Sequence, residues 1–280
     1  MTSVEERRIV IRNSHGENLV GILLETGSKD LVIICHGFQS KKERIPMVTL
    51  ATTLGREGIS AFRFDFAGNG ESEGSFMYGN YRREAEDLRA VVRHFRKNQR
   101  LITAIVGHSK GFLQGGMWCF SILQSTMMYP PSSIFPAGSI WRKAWKVDWV
   151  KIFYKESSRM GLLMLRIEKF EYRVTQESLM DRLTTDIRAA CLSIDQNCRV
   201  LTIHGSMDKI VPAKDALEFA RFIRNHKLHI IEGADHEYTA HQDELATVVL
   251  DFVKAVREDR NSAERLQSCE RAVNFIKARI

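Results

Sequence analysis

The chain has 280 residues, 44% of them hydrophobic, with a formal net charge of +7. That length accommodates one large α/β core, since single domains of this class commonly reach roughly 250 residues. No apolar run approaches the ~18 residues of a membrane span, and the five scattered cysteines form neither a metal pattern nor a small disulfide framework.

The charge does not read as a nucleic-acid footprint. Residues 117–165 carry six Lys/Arg against Asp148 and Glu156, a net +4, which leaves only +3 for the other 231 residues. The first eight residues, Met1 to Arg8, are polar and charged without an apolar signal core behind them. The expectation is a soluble, cytoplasmic protein in a reducing compartment, with no nucleic-acid partner, no cofactor and no metal. The oligomeric state cannot be read.

In chain order, Arg8 to Ile11 and Leu19 to Leu24 flank turn residues and predict a β-hairpin. Leu31 to Cys35, Ile59 to Phe66 and Leu101 to Val106 are continuous apolar runs that suit strands buried on both faces. Pro46 to Glu57 and Tyr81 to Lys97 have helical spacing. Arg199 to Ile203 and Lys227 to Ile231 are again strand-like, with a helix Ala213 to Ile223 between them. This alternation predicts a doubly wound, mostly parallel α/β sheet with helices on both faces. Glu258 to Ile280 is charged with sparse apolar positions and reads as a surface helix or loose tail.

Gly107-His108-Ser109-Lys110-Gly111 fits G-x-S-x-G and directly follows a strand-like run. A nucleophile on a tight strand-to-helix turn sits in strained backbone, and small neighbours let that turn close. A serine hydroxyl needs a base. His236, in Gly233-Ala234-Asp235-His236, follows the Lys227–Ile231 strand, and Asp208 follows the Arg199–Ile203 strand. Both therefore fall at carboxyl ends of strands, where open α/β sheets place their sites. The order Ser, Asp, His is the one this fold uses. Ser109 is expected as nucleophile, His236 as base and Asp208, rather than Asp235, as its acid. Backbone N–H groups of Phe38 and Lys110 are the natural oxyanion donors. His36 is expected to be structural, Cys35 to be core, and His204 and His241 to be loop residues without an evident partner. Gly68, Gly70 and Gly74 read as a turn after the Ile59–Phe66 strand.

The segments LVIICHGFQSKK, FRFDFAGNGESEG, IVGHSKG, YRVTQESLMDRL, LTIHGSMDKIVP and IIEGADHEY together resemble the α/β-hydrolase superfamily. In particular they are similar to plant serine aminopeptidase-like and lysophospholipase-like hydrolases. The resemblance covers about residues 8–111 and 166–255 and implies one α/β-hydrolase domain over 8–255. It also implies hydrolysis of an ester or amide of a small-molecule substrate through an acyl-enzyme. It does not name the substrate.

Residues 112–165 depart from that pattern. They hold all four tryptophans and three of the five prolines, and the helix expected behind Ser109 is missing. Back-translation offers a reason. Met117-Trp118-Cys119 must be ATG TGG TGY, which read one base earlier forces Val-Val. Met127-Met128-Tyr129 likewise forces Asp-Val. The shifted frame can spell a helix followed by a strand-like VINIS, and the frame returns near Arg166. The segment reads as the product of a shifted frame, with a genuine divergent lid as the alternative. Pro130, Pro131 and Pro136 would interrupt helix and ladder alike. A catalytically impaired relic that keeps the triad residues is the competing functional reading.

Overall fold

The computed structural model describes residues 5–109, 132–136, 162–167, 170–175, 177–178, 180–181 and 187–277. Strands β1 (Glu5–Arg12) and β2 (Asn18–Glu25) form the expected hairpin, paired antiparallel from Glu5↔Glu25 to Arg12↔Asn18. The chain continues through β3 (Asp30–Cys35), α1 (Ile45–Arg56), β4 (Ser60–Phe64), α2 (Tyr81–Lys97) and β5 (Leu101–Gly107). After β6 (Ser132–Pro136), β7 (Leu162–Ile167) and β8 (Phe170–Thr175) come α3 (Ile187–Leu192), β9 (Val200–Gly205), α4 (Ala213–Phe222), β10 (His226–Ile231) and α5 (Gln242–Lys277).

Eight strands form one sheet in the order β1-β2-β4-β3-β5-β6-β9-β10, and β7 pairs with β8 separately. The pairings from β4 through β10 are parallel, whereas β2 meets β4 antiparallel. This is the doubly wound sheet that the alternation predicts. Its core follows from the two-residue period of a strand. In β3, Val32 and Ile34 face one way, against Met47, Leu50 and Leu54 of α1 and Leu245, Val249 and Val253 of α5. Leu31 and Ile33 face the other way, against Leu88, Val91, Val92 and Phe95 of α2. Burial on both faces is why these strands are unbroken apolar runs. Cys35 is core, as expected, and burial raises its thiol pKa.

One expectation holds in one of its two forms and two need correction. First, the charged C-terminus is the helix rather than the loose tail, and it continues a core helix: α5 runs without a break from Gln242 to Lys277. Its Arg257 and Arg260 form ion pairs with Asp30 at the start of β3, at 3.0 and 2.8 Å. Those basic residues look like a solvated tail in sequence because their carboxylate partner lies more than two hundred positions away. Second, residues 112–165 do supply a ladder: Ser132–Pro136 pairs in parallel with β5 on one side and β9 on the other. Proline is tolerated because Pro136 ends the strand, where its missing N–H removes one rung at most. This strand occupies the same stretch of chain as VINIS in the shifted frame. The helix expected behind Ser109 lies outside the described residues. Third, His204 is not a loop residue. It lies within β9, fully buried, and its Nε2 is 3.0 Å from the carbonyl of Val211.

Candidate active site

Four loops leave the carboxyl ends of parallel strands β3, β5, β9 and β10 on the same edge of the sheet. They carry Phe38, Ser109, Asp208 and His236. On the β5 loop Gly107 ends the strand and Ser109, two residues on, has φ +51. A non-glycine residue in this left-handed region is strained, and that strain turns the side chain out of the sheet.

His236 stands between the other two side chains. Its Nε2 lies 3.1 Å from Oγ of Ser109, and its Nδ1 lies 2.8 Å from Oδ2 of Asp208. With a carboxylate at Nδ1, that nitrogen carries the proton, so Nε2 is free to accept from the serine hydroxyl. The second oxygen of Asp208 accepts the backbone N–H groups of Ile210 and Val211, both at 2.8 Å. Burial alone would raise the Asp208 pKa. The hydrogen bonds from His236 and from these amides outweigh it and hold the carboxyl below its ordinary value. Asp235 is exposed and accepts instead from the N–H of Thr239. The structure thus brings Ser109, His236 and Asp208 together and leaves Asp235 aside.

The loops of the acid and the base are stitched to each other. Met207 N–H donates to Ala234 O at 3.0 Å, and Gly233 N–H donates to Ser206 Oγ at 2.8 Å. Glycine at 205 permits this approach, because a Cβ there would lie 2.3 Å from the carbonyl oxygen of Ala234. Tyr238, buried two residues beyond the base, donates its hydroxyl to Ile203 O at 2.9 Å.

The β3 loop approaches the nucleophile from the other side. A Cβ on Gly37 would meet Cβ of Ser109 at 3.2 Å. His36 has the structural role expected of it: Nδ1–H donates to Gly37 O at 2.8 Å, and Nε2 accepts Phe66 N–H at 3.1 Å. A trans peptide points its C=O and N–H in opposite directions. Fixing the Gly37 carbonyl on His36 therefore turns the Phe38 N–H the other way. The loop is further pinned by a buried ion pair, Lys42 Nζ to Asp65 Oδ2 at 2.6 Å, with the N–H of Lys42 on the other oxygen at 2.7 Å. Gly68, Gly70 and Gly74 all have positive φ, as the turn reading expects. Lys110, the second expected oxyanion donor, lies outside the described residues.

Sequence reasoning missed His108. It is 5% exposed, and its Nε2 lies 2.9 Å from the backbone carbonyl of His236. Burial first, then the neighbouring His236, pushes its pKa below the usual imidazole value. The available signal was a histidine inside the pentapeptide itself. Among the described residues, ligand atoms of His108, His236 and Glu237 lie within 4.8 Å of one another. Both nitrogens of His236 and Nε2 of His108 are already engaged as above, so the cluster works as a hydrogen-bond scaffold. Also among the described residues, no helix is long and apolar enough to cross a membrane.

Comparison with known proteins bears on the fold that carries these residues. A family model described as "Serine aminopeptidase, S33" matches residues 26–151. The match runs on past residue 112, which corrects the expectation that the family pattern stops there. A Saccharomyces cerevisiae protein of uncharacterised function is 27% identical over 245 residues, covering 81% of this chain and 74% of its own. Est1E from Butyrivibrio proteoclasticus, solved with ferulic acid bound, superposes with a TM-score of 0.71 at 22% identity, over 89% of this chain and 99% of that one. The Pyrococcus furiosus esterase Pf2001 does so at 0.65 and 21%, over 91% and 93%. The sheet order and these superpositions give the chain the α/β-hydrolase fold, with a serine aminopeptidase family match over the part that runs from β3 to β6.

Proposed function

We propose that this hydrolase is a serine esterase acting through an acyl-enzyme at Ser109, within one catalytic domain that takes in the whole of α5 as well as residues 8–255. The observation that carries the reading is His236 held between Ser109 at 3.1 Å and Asp208 at 2.8 Å. His236 Nε2 takes the hydroxyl proton as Ser109 Oγ bonds to the substrate carbonyl carbon. Negative charge collects on the carbonyl oxygen, and the backbone N–H groups of Phe38 and, from the sequence pattern, Lys110 are the donors this reading assigns to it. The tetrahedral species collapses, and the imidazolium gives its proton to the leaving alcohol or amine. Water then repeats the sequence, with His236 as base, and releases the acid and Ser109. Asp208 keeps the imidazole in the productive tautomer throughout.

The side chain beside the oxyanion donor suggests what the acyl group is. Phe38 packs edge-on against Phe76 and Tyr78, with ring centroids 5.5 and 5.6 Å apart. Such a wall suits an apolar acyl group, in keeping with the ferulic acid bound by the Butyrivibrio relative. Small uncharged esters are therefore the substrate class, acted on in the cytoplasm without a cofactor. The assembled geometry supports an active enzyme over an impaired relic. The test compares p-nitrophenyl esters of acetate, butyrate and phenylpropionate with aminoacyl p-nitroanilides. Ester turnover that disappears in Ser109→Ala supports the reading. Anilide turnover alone, or ester turnover that survives the substitution, overturns it.

A further inference from the structure

We propose that His108, beside the nucleophile, is a positioning residue for the base, holding His236 by its backbone while Ser109 and Asp208 hold its ring. This rests on the serine-hydrolase reading above and extends it to a residue outside the triad.

The geometry is specific. A carbonyl oxygen can only accept, so the 2.9 Å contact between His108 Nε2 and His236 O requires the proton on Nε2. That bond joins positions 128 residues apart, from the turn that carries the nucleophile to the loop that carries the base. Nothing in the backbone pairing does this directly, because β5 and β10 are separated in the sheet by β6 and β9. His108 thus spans a gap that the ladder leaves open. Its ring is 5.2 Å from the His236 ring and 6.4 Å from that of Tyr238. A Cβ on Gly37 would stand 3.3 Å from its Nδ1. The imidazole therefore fills the space between the oxyanion loop, the nucleophile turn and the base loop.

The choice of residue follows from the charge that forms during catalysis. An imidazolium must develop on His236, so a cationic donor at 108 would oppose it at close range. A neutral imidazole donates the same hydrogen bond without that repulsion.

The test is the second-order rate of labelling by a fluorophosphonate, with KM and kcat for p-nitrophenyl acetate, in His108→Leu, His108→Asn and His108→Gln. Leu fills the space without a donor, Asn has a donor too short to reach, and Gln places an amide N–H near the imidazole Nε2. Leu and Asn are expected to label about 10- to 100-fold more slowly, the factor expected for losing one buried hydrogen bond in a preorganised site. Their final extent of labelling should match the parent, and KM should change less than about twofold while kcat falls. Gln should recover most of the rate. A purely structural role would instead reduce the labelled fraction and the melting temperature together. Wild-type rates in Leu and Asn, or a Gln variant as slow as Asn at equal melting temperature, overturn the proposal. Labelling of Ser109→Ala would overturn the serine reading itself.

Discussion

Asp208 lies 28 residues before His236 in sequence, yet its Oδ2 is 2.8 Å from the imidazole Nδ1 while its Oδ1 takes two backbone amides. The carboxylate is therefore fixed by the protein before it fixes the histidine. Its side chain is 4% exposed, so water competes little for either oxygen.

Asp208→Asn tests that arrangement. The amide oxygen can still take the N–H groups of Ile210 and Val211, which leaves the NH₂ facing His236. Nδ1 must then accept, the proton moves to Nε2, and Ser109 loses its base. The expected outcome is a kcat lower by about 10³–10⁴-fold with KM nearly unchanged. Steady-state kinetics on p-nitrophenyl acetate checks it, and a fall in KM with kcat preserved would contradict it.

Gly205→Ala tests the contact between the acid and base loops. Its Cβ would stand 2.3 Å from Ala234 O, a backbone atom that cannot move aside cheaply. Destabilisation of about 1–3 kcal/mol is expected from the overpacking, together with loss of ester turnover, because the two loops must part. Chemical denaturation and kinetics on the same sample measure both. A variant as stable and active as the parent would show that the loops tolerate separation.

Much of this site was legible in the sequence because each catalytic candidate ends a strand. The apolar runs before His36, Ser109, Asp208 and His236 mark strands, and the G-x-S-x-G glycines mark the turn. Strands β3, β4, β5, β9 and β10 begin and end within one or two residues of the apolar runs, the β1–β2 hairpin has longer overhangs, and β7 and β8 are not among the predicted strands. What sequence did not reveal are contacts between distant positions. The carbonyl that His108 reaches is 128 residues away, and Asp30 gives no sign that it awaits Arg257 and Arg260. Ser132–Pro136 was hidden for a different reason. Two serines and a terminal proline carry no β signature of their own, and the strand is set by its neighbours β5 and β9.

A buried carboxyl and a half-buried imidazole should oppose each other in the pH dependence of stability. Burial raises Asp87 to about 6 despite hydrogen bonds from Ala67 N–H and Asn13. Its contribution is fully present below its unfolded value near 3.9 and is lost as pH rises through 6. Burial lowers His226 to about 4, beside Thr202. Its contribution is present above about 6.5 and is lost as pH falls through 4. Melting temperatures between pH 4 and 7 should therefore tilt in opposite senses relative to the parent. Asp87→Asn should steepen the rise with pH, and His226→Gln should steepen the fall. Equal tilts in both variants would contradict the assignment.

We propose that residues 112–165 derive from a shifted reading frame. A protein in which that frame is restored, with Gly111 and Arg166 kept as junctions, is expected to be more soluble and to melt at a higher temperature. Its ester turnover should equal or exceed that of the chain described here. Expression of both versions side by side decides the matter. If the present chain is monomeric, cooperative in unfolding and as reactive at Ser109 as the restored one, the segment is a genuine lid.

The most direct test of the central claim is reaction with a fluorophosphonate followed by peptide mapping of the adduct. The account predicts a single modified residue, Ser109, in the folded protein, and no adduct in Ser109→Ala at equal melting temperature. An adduct that persists in Ser109→Ala, or a folded parent protein that never reacts, would contradict it.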